Sequence, residues 1–431
     1  MSERDTLMAA APKDTWDRPA LAAWQRRRLG SLLRDILPAN RFYAEKLAGL
    51  DLADADLRRL PFTIKAELIA DQAAHPPYGR DLTYPLGRYS RMHQTSGTTS
   101  GTPLRWLDTP ESWNWLLDCW EIMYRIAGVG PGDRLFFGFS FGPFLGFWTA
   151  FEAASRLGFL CLPGGGMSTS ARLRFLLDHA ATVVLCTPTY ALHLAEAATR
   201  DGLDLAGSPV RAVIVAGEPG GSIPATRRRI EESWGARVFD HSGMTEAGTM
   251  AMECVANPAG LHVLETEYIA EVLDPATGEV VAPGEVGELV VTNLGRIGSP
   301  LLRYRTGDLV RPDPRPCPCG RALLRLDGGI LGRTDDMIHV RGNNLYPAAL
   351  EAVIRRFPEV AEFRVEVETR RTLASLRVEV EPVAAGMEQA VAERVDRAIR
   401  DELLFRAEVH GVAPGSLPRF EMKARRLVRK S

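Results

Sequence analysis

The sequence predicts an α/β protein in two parts: a large N-terminal domain of layered mixed and parallel sheets, and a small α+β domain at the C-terminal end. Three observations predict it. At 431 residues the chain exceeds the roughly 250–300 at which one core usually divides. In its middle, short apolar runs bounded by Gly or Pro alternate with helical stripes, as in strands buried on both faces of a parallel sheet. Toward the C-terminus the runs alternate apolar with charged residues, the pattern of strands with one wet face.

In chain order, Trp16, Leu21, Trp24, Leu29, Leu32 and Leu33 recur at helical spacing. Pro61 in Leu60-Pro61-Phe62-Thr63-Ile64-Lys65 breaks that region, and Thr63 is placed to cap a helix beginning near Lys65. Trp113–Ala127 is an apolar-striped helix whose aromatics read as core. The runs Arg134–Phe141, Thr182–Cys186 and Ala212–Ala216 read as buried parallel strands, with helices over Phe147–Leu157 and Ala171–Ala180 between them. Tyr268–Val272 and Glu288–Asn293 read as strands of a more antiparallel subdomain, with turns at Asp274–Gly278 and Pro283–Gly287. The polar stretch Gly332–Asp336 reads as the linker, which gives a large domain over 1–331, a hinge at 332–336 and a small domain over 337–431. In the small domain, Tyr346–Phe357 and Glu388–Leu404 are helical, and Phe363–Glu368 and Leu376–Glu381 are strands. The basic run Lys423–Lys430 reads as a solvated tail.

Composition excludes several classes. Hydrophobic content of 45% and charged content of 25% are those of a globular protein, and a net charge of −2 gives no reason to expect nucleic acid or a membrane surface as partner. No apolar run approaches the ~18 residues that span a bilayer, and Met1–Asp14 lacks the apolar core of a signal peptide, so a cytoplasmic location is expected. Oligomeric state is left open, a homodimer included. Six cysteines in so long a chain do not form a disulfide framework, and Cys119, Cys161 and Cys186 read as inert core residues.

Five islands carry chemistry. Gln94–Trp106 reads Q-T-S-G-T-T-S-G-T-P-L-R-W. Gly97 and Gly101 let successive N–H groups face one point, and the hydroxyls of Ser96, Thr98, Thr99, Ser100 and Thr102 add donors suited to a polyphosphate. It is not a Walker A loop, since no Gly-Lys-Ser/Thr follows; a plain flexible linker is the competing reading. Phe239-Asp240-His241-Ser242-Gly243-Met244-Thr245-Glu246 follows a strand, and Glu246 suits a metal bound to phosphates. Arg303-Tyr304-Arg305-Thr306-Gly307-Asp308 puts a carboxylate behind a glycine turn, an acceptor for ribose hydroxyls. Gly332-Arg333-Thr334-Asp335-Asp336, followed by Val340-Arg341-Gly342, lies at the domain junction. Lys423 stands in the terminal Phe420-Glu421-Met422-Lys423-Ala424-Arg425-Arg426. Singly, each also reads as a capped turn, a surface ion pair or a basic tail.

In that order the islands resemble the adenylate-forming superfamily. Leu60–Lys65, Cys317-Pro318-Cys319-Gly320-Arg321 and D-D-M-x-x-x-R-G-x-N at Asp335–Asn344 make the chain similar to the phenylacetate–CoA ligase family within it. The resemblance implies a two-step reaction. A carboxylate attacks the α-phosphate of ATP to give an acyl-adenylate and pyrophosphate, and the thiol of coenzyme A then displaces AMP. By motif, Ser96–Thr102 would cradle the β- and γ-phosphates, and Gly217, Glu218 and Pro219 would line the adenine pocket together with Asp240–Thr245. Glu246 would hold Mg²⁺, Asp308 would bind the ribose, and Arg333 would contact the nucleotide. Lys423 would be the mobile catalytic cation and Asp335 the hinge. The sequence departs from the family pattern at three places: one extra residue in the Ser96–Pro103 loop, Ser242 where an aromatic is common, and Met422 where glycine is usual. Phe139, Phe141 and Phe144 would wall the acid pocket, with Gly217 and Gly243 leaving room for a flat ring, so a small aryl acid is expected; ordinary core packing is the competing account. The first step followed by transfer to a carrier-protein thiol, and a non-catalytic nucleotide-binding relative, are the rival functions.

Cys317-Pro-Cys319 also brings two thiols together in a chain expected in a reducing compartment, where metal binding is favoured over a disulfide. Cys254 and His262 complete a Cys₃His set for structural zinc; reduced, unliganded cysteines are the alternative.

Overall fold

The computed structural model describes residues 12–52, 56–95, 102–336, 338–340, 343–370, 373–403, 405–420, 424 and 426–430. Its frame is an eight-stranded sheet. In spatial order the strands are Arg325–Asp327, Asn257–Val263, Gly248–Cys254, Arg237–Met244, Ala212–Val215, Val183–Cys186, Arg134–Phe137 and Leu160–Pro163. From Arg237–Met244 to Leu160–Pro163 neighbouring strands are parallel, and the remaining pairings are antiparallel. V-V-L-C and A-V-I-V are apolar throughout because every residue in them is buried, one face against each layer of helices. Helix Leu145–Arg156 packs with Pro110–Ile126 on one face. Thr169–Asp178, Pro188–Arg200 and Pro224–Trp234 cover the other. Ser168 and Thr187 start two of these helices, each side chain accepting a main-chain N–H three residues on.

The aromatics of Pro110–Ile126 are core, as expected, and their polar tips are matched. The indole N–H groups of Trp113, Trp115 and Trp120 donate to Glu152, Glu267 and Thr149 at 2.7, 2.6 and 2.9 Å. A four-stranded antiparallel sheet, Tyr268–Leu273, Gly287–Asn293, Tyr304–Val310 and Gly332–Arg333, completes the large domain. The small domain carries its own core, from Ile338 to Phe405, around a sheet ordered Glu408–Gly411, Leu373–Pro382, Val360–Arg370, Leu427–Lys430. Among the described residues no helix is long and apolar enough to cross a membrane.

Four readings are corrected. Y-R-T-G-D is a strand rather than a turn: Gly307 takes φ +77° within Tyr304–Val310, where the ladder to Gly287–Asn293 shifts register. Gly332 and Arg333 are not linker but pair with Leu309 and Asp308. Thr63 does not cap the helix Lys65–Ala74; Ile64 is the N-cap, and Thr63 bridges to Tyr304 through Thr63 N–H to Arg303 O and Arg305 N–H to Thr63 O. The basic C-terminal run is not a solvated tail, since Leu427–Lys430 pairs in parallel with Val365–Glu368.

One buried ion pair joins the parts that matter for function. Arg296 grips Asp108 through two hydrogen bonds of 2.7 Å, and both side chains are fully buried. A third N–H group reaches the carbonyls of Thr245 and Glu246 at 2.7 and 2.8 Å. Arg296→Met leaves Asp108 buried without its cation and is expected to lose about 3–5 kcal/mol of stability. Urea unfolding of the two proteins measures it, and a loss below about 1 kcal/mol, the scale of a surface pair, would contradict this role.

Candidate active site

The parallel strands all end on one side of the sheet, and the motifs sit there, where an open α/β sheet offers its crevice. Phe139–Phe144 follows Arg134–Phe137, Gly217–Pro219 follows Ala212–Val215, and His241–Met244 ends the strand Arg237–Met244. Gly217 takes φ +93°, and Gly217 and Gly243 are exposed while Glu246 is buried. Ser96–Gly101 and Lys423 lie outside the described residues. The flanks of the loop are described. Arg91–Gln94 pairs antiparallel with Arg105–Asp108, and Thr95 exchanges main-chain and hydroxyl hydrogen bonds with Leu104 at 2.9 and 3.0 Å. The Gly/Ser/Thr run is therefore closed at both ends by a hairpin, with Thr102 exposed beside it.

Glu246 is the best-supported charged centre. Arg296 fixes its main chain, the Tyr304 hydroxyl lies 3.4 Å from Oε1, and the Lys65 ammonium lies 3.1 Å from the same oxygen. Lys65 escaped the sequence reading as a site residue. Its position is held from behind: Thr63 is bridged to Tyr304, and Arg303 donates to the carbonyls of Leu60 and Arg58 while lying 4.1 Å over the Phe62 ring. The signal was physical, because a lysine in the first turn of a helix opposes the helix dipole unless a carboxylate faces it.

Asp308 and Arg333, expected to share the nucleotide, lie side by side. Arg333 Nη1 donates to Asp308 Oδ1 at 2.8 Å, and its other edge grips Asp335 at 2.8 and 3.1 Å. Asp240 is turned inward, accepting the Ser222 hydroxyl at 2.6 Å, and burial pushes its carboxyl up to about 6. His241 stands edge-on to Trp120 with ring centroids 5.0 Å apart, and burial pushes its imidazole down to about 4. Ser242 is buried, while Met244 and Thr245 are half-buried. Phe139 is buried and edge-on to Phe137 and Phe141, each 5.9 Å away; Phe141 and Phe144 keep partial exposure.

A second centre lies at the antiparallel end of the large sheet. Cys254, His262, Cys317 and Cys319 present ligand atoms all within 4.8 Å of one another. Cys254 Sγ and Cys317 Sγ are 3.6 Å apart, and Cys319 Sγ is 3.4 Å from His262 Nε2. Bonds of about 2.3 Å to sulfur and about 2.0 Å to nitrogen around tetrahedral zinc give edges close to these. Burial pushes His262 down to about 4, leaving it neutral, as a ligand must be. The donor set fits the metal.

A model of the AMP-binding enzyme family matches residues 94–295, and one of the AMP-binding enzyme C-terminal domain matches 342–430. The phenylacetate-coenzyme A ligase of Thermus thermophilus is 33% identical over 442 residues, covering 96% of this chain and 97% of its own. The chain belongs to the phenylacetate–CoA ligase-like family. Members of this adenylate-forming family are ATP-dependent acid–CoA ligases that work through an acyl-adenylate. The fold agrees. A 2-hydroxyisobutyryl-CoA ligase in its postadenylation state with 2-HIB-AMP superposes with a TM-score of 0.88 at 28% identity, over 94% of this chain and 89% of that one. The same ligase with 2-HIB-AMP and CoA in its thioesterification state scores 0.72 at 29% identity, over 96% and 91%.

Asp240 gives a pH prediction for this family member. A carboxyl held above its ordinary value binds its proton more tightly folded than unfolded, so its ionisation opposes folding. The contribution of Asp240 to stability should fall as pH rises from about 4, the unfolded value, to about 6, against the opposite slope of His241 and His262, which burial holds at about 4. Asp240→Asn should remove that slope and gain stability above pH 6. Melting temperatures from pH 4 to 8 read it, and parallel curves for the two proteins would refute it.

Proposed function

We propose that this chain activates a small aryl carboxylic acid as its acyl-AMP and passes it to coenzyme A, releasing AMP and pyrophosphate. The observation that carries the reading is the pairing of Glu246 with Lys65 and of Asp308 with Arg333, both beside Tyr304, in a chain similar over 96% of its length to a phenylacetate-coenzyme A ligase. In this reading Ser96–Thr102 takes the β- and γ-phosphates, Gly217–Pro219 and the Asp240–Thr245 segment border the adenine, and Asp308 takes the ribose. Glu246 holds Mg²⁺, which supplies charge shielding to the phosphates. Its carboxylate faces Lys65 at 3.1 Å, so a cation is already its natural partner. Arg333, tied to Asp308 and Asp335, steers the nucleotide in this reading and joins the large domain to the hinge at Asp335. Lys423 neutralises charge developing at the α-phosphate; catalysis is positioning and electrostatics, with no protein nucleophile. The partly exposed Phe141 and Phe144 offer a flat apolar wall that suits an aromatic acid.

Pyrophosphate release with a panel of aryl acids, with 2-hydroxyisobutyrate as the aliphatic arm, tests the reading. Release with an aryl acid, followed by thioester only when CoA is present, is expected. No acid-dependent release, release with the aliphatic acid alone, or transfer only to a carrier protein would each overturn it. Lys423→Ala should slow acyl-adenylate formation by about 10²-fold or more, the scale of lost transition-state charge stabilisation. Thioester formation from supplied acyl-adenylate should stay near the native rate, and equal losses would contradict the assignment.

The Cys₃His cluster is read as a structural zinc site, closed by four protein ligands. Purified without chelator, the protein should carry about one zinc per chain, the stoichiometry of one closed site, and Cys317→Ser should lose it with a fall in melting temperature. Zinc-free protein of unchanged stability would remove the site.

A further inference from the structure

Glu218 belongs to the adenine-side Gly-Glu-Pro segment, yet its carboxylate is engaged elsewhere. Oε1 accepts the main-chain N–H of Thr189 at 2.9 Å, and Oε2 accepts that of Ala424 at 2.6 Å. Thr189 lies in the first turn of the helix Pro188–Arg200, whose opening N–H groups have no partner within the helix and whose dipole favours an anion. One carboxylate oxygen is thus pinned to a rigid element of the large domain. The other reaches across to the small domain, at the residue that follows Lys423 in the chain.

The surrounding contacts are arranged so that this bond can break without stranding a charge. The Thr189 hydroxyl accepts from Arg426 Nη2 at 3.0 Å. Arg426 is otherwise held inside the small domain, by Glu362 at 2.7 and 3.0 Å and by Glu351 at 3.3 Å. Were the domains to part, Arg426 would keep its carboxylates and Glu218 would keep the helix N-terminus. Each side would lose one hydrogen bond to a group that water can replace. A residue serving only as a helix cap needs a single acceptor; Glu218 uses two, directed to different domains.

We propose that Glu218 is the positioning residue of the first half-reaction, a latch that holds the main chain beside Lys423 against the large domain for adenylation and lets go for thioester formation. The proposal rests on the ligase reading above. It agrees with the closer superposition on the postadenylation state than on the thioesterification state of the 2-hydroxyisobutyryl-CoA ligase.

Glu218→Gln keeps the size of the side chain but offers only one acceptor oxygen for two N–H groups. Glu218→Asp keeps the charge at the helix end and shortens the reach by one methylene, so it separates capping from latching. Hydrogen exchange of the nucleotide-free protein reads the contact without activity. The Ala424 amide should exchange about tenfold faster or more in both variants, while Leu427–Lys430, paired in the small-domain sheet, stays protected. In single turnover, acyl-adenylate formation should slow by about 10- to 100-fold, the range for one hydrogen bond to a charged group. Thioester formation from supplied acyl-adenylate should slow far less than adenylation does. An Ala424 amide equally unprotected in the native protein, equal slowing of both half-reactions, or a rise in KM for ATP with kcat unchanged would each overturn the latch. If the native protein makes no acyl-adenylate, the ligase reading falls by itself, and the exchange experiment still decides whether Glu218 holds Ala424.

Discussion

A guanidinium without access to water sets the geometry of this molecule. Arg296 follows a strand of the antiparallel sheet, grips Asp108 at the end of the hairpin that closes the Gly/Ser/Thr loop, and holds the carbonyls that precede and belong to Glu246. Three segments distant in sequence are thereby locked to one another. A buried pair of this kind contributes little net stability against an apolar alternative, but it cannot exchange partners without leaving a bare charge in the interior. What it supplies is a single permitted arrangement.

The domain interface follows the opposite rule. Arg229 donates to Val360 O at 3.0 Å, Arg419 approaches Glu196 at 3.4 Å, and Arg426 reaches Thr189 at 3.0 Å. Each is a single contact, the first two partly wet and the third buried, and the strongest ties of Arg419 and Arg426 stay within the small domain, to Glu381 and Glu362. Doubly bonded, dry pairs hold what must stay fixed, and singly bonded, exchangeable ones lie where one domain meets the other.

This division explains what could be read from the sequence. The inner parallel strands were legible because full burial makes them continuously apolar, and the indoles of Pro110–Ile126 because a helix that covers a sheet must be striped. The edges were not. Leu160–Pro163 borders the sheet with Leu160 more than half exposed, so its run is short and mixed. Leu427–Lys430 is an edge strand rich in basic residues, a composition that also suits open solvent. The motif order carried Glu246 and Asp308, and thiol chemistry carried the Cys₃His cluster. Lys65 as a site residue, and the reach of Glu218 to the other domain, stayed hidden because their partners, Glu246 and Ala424, are fixed by the tertiary fold and leave no local spacing to detect.

The contact between Glu218 and Ala424 also has an evolutionary side. What is gripped at position 424 is main chain, which every residue but proline supplies alike. The side chain there is free to drift without weakening the bond, whereas position 218 needs two acceptor oxygens at a fixed reach. Selection on this junction therefore acts on one partner only. Position 424 can diverge among descendants while the contact made there is inherited through a single glutamate in the other domain.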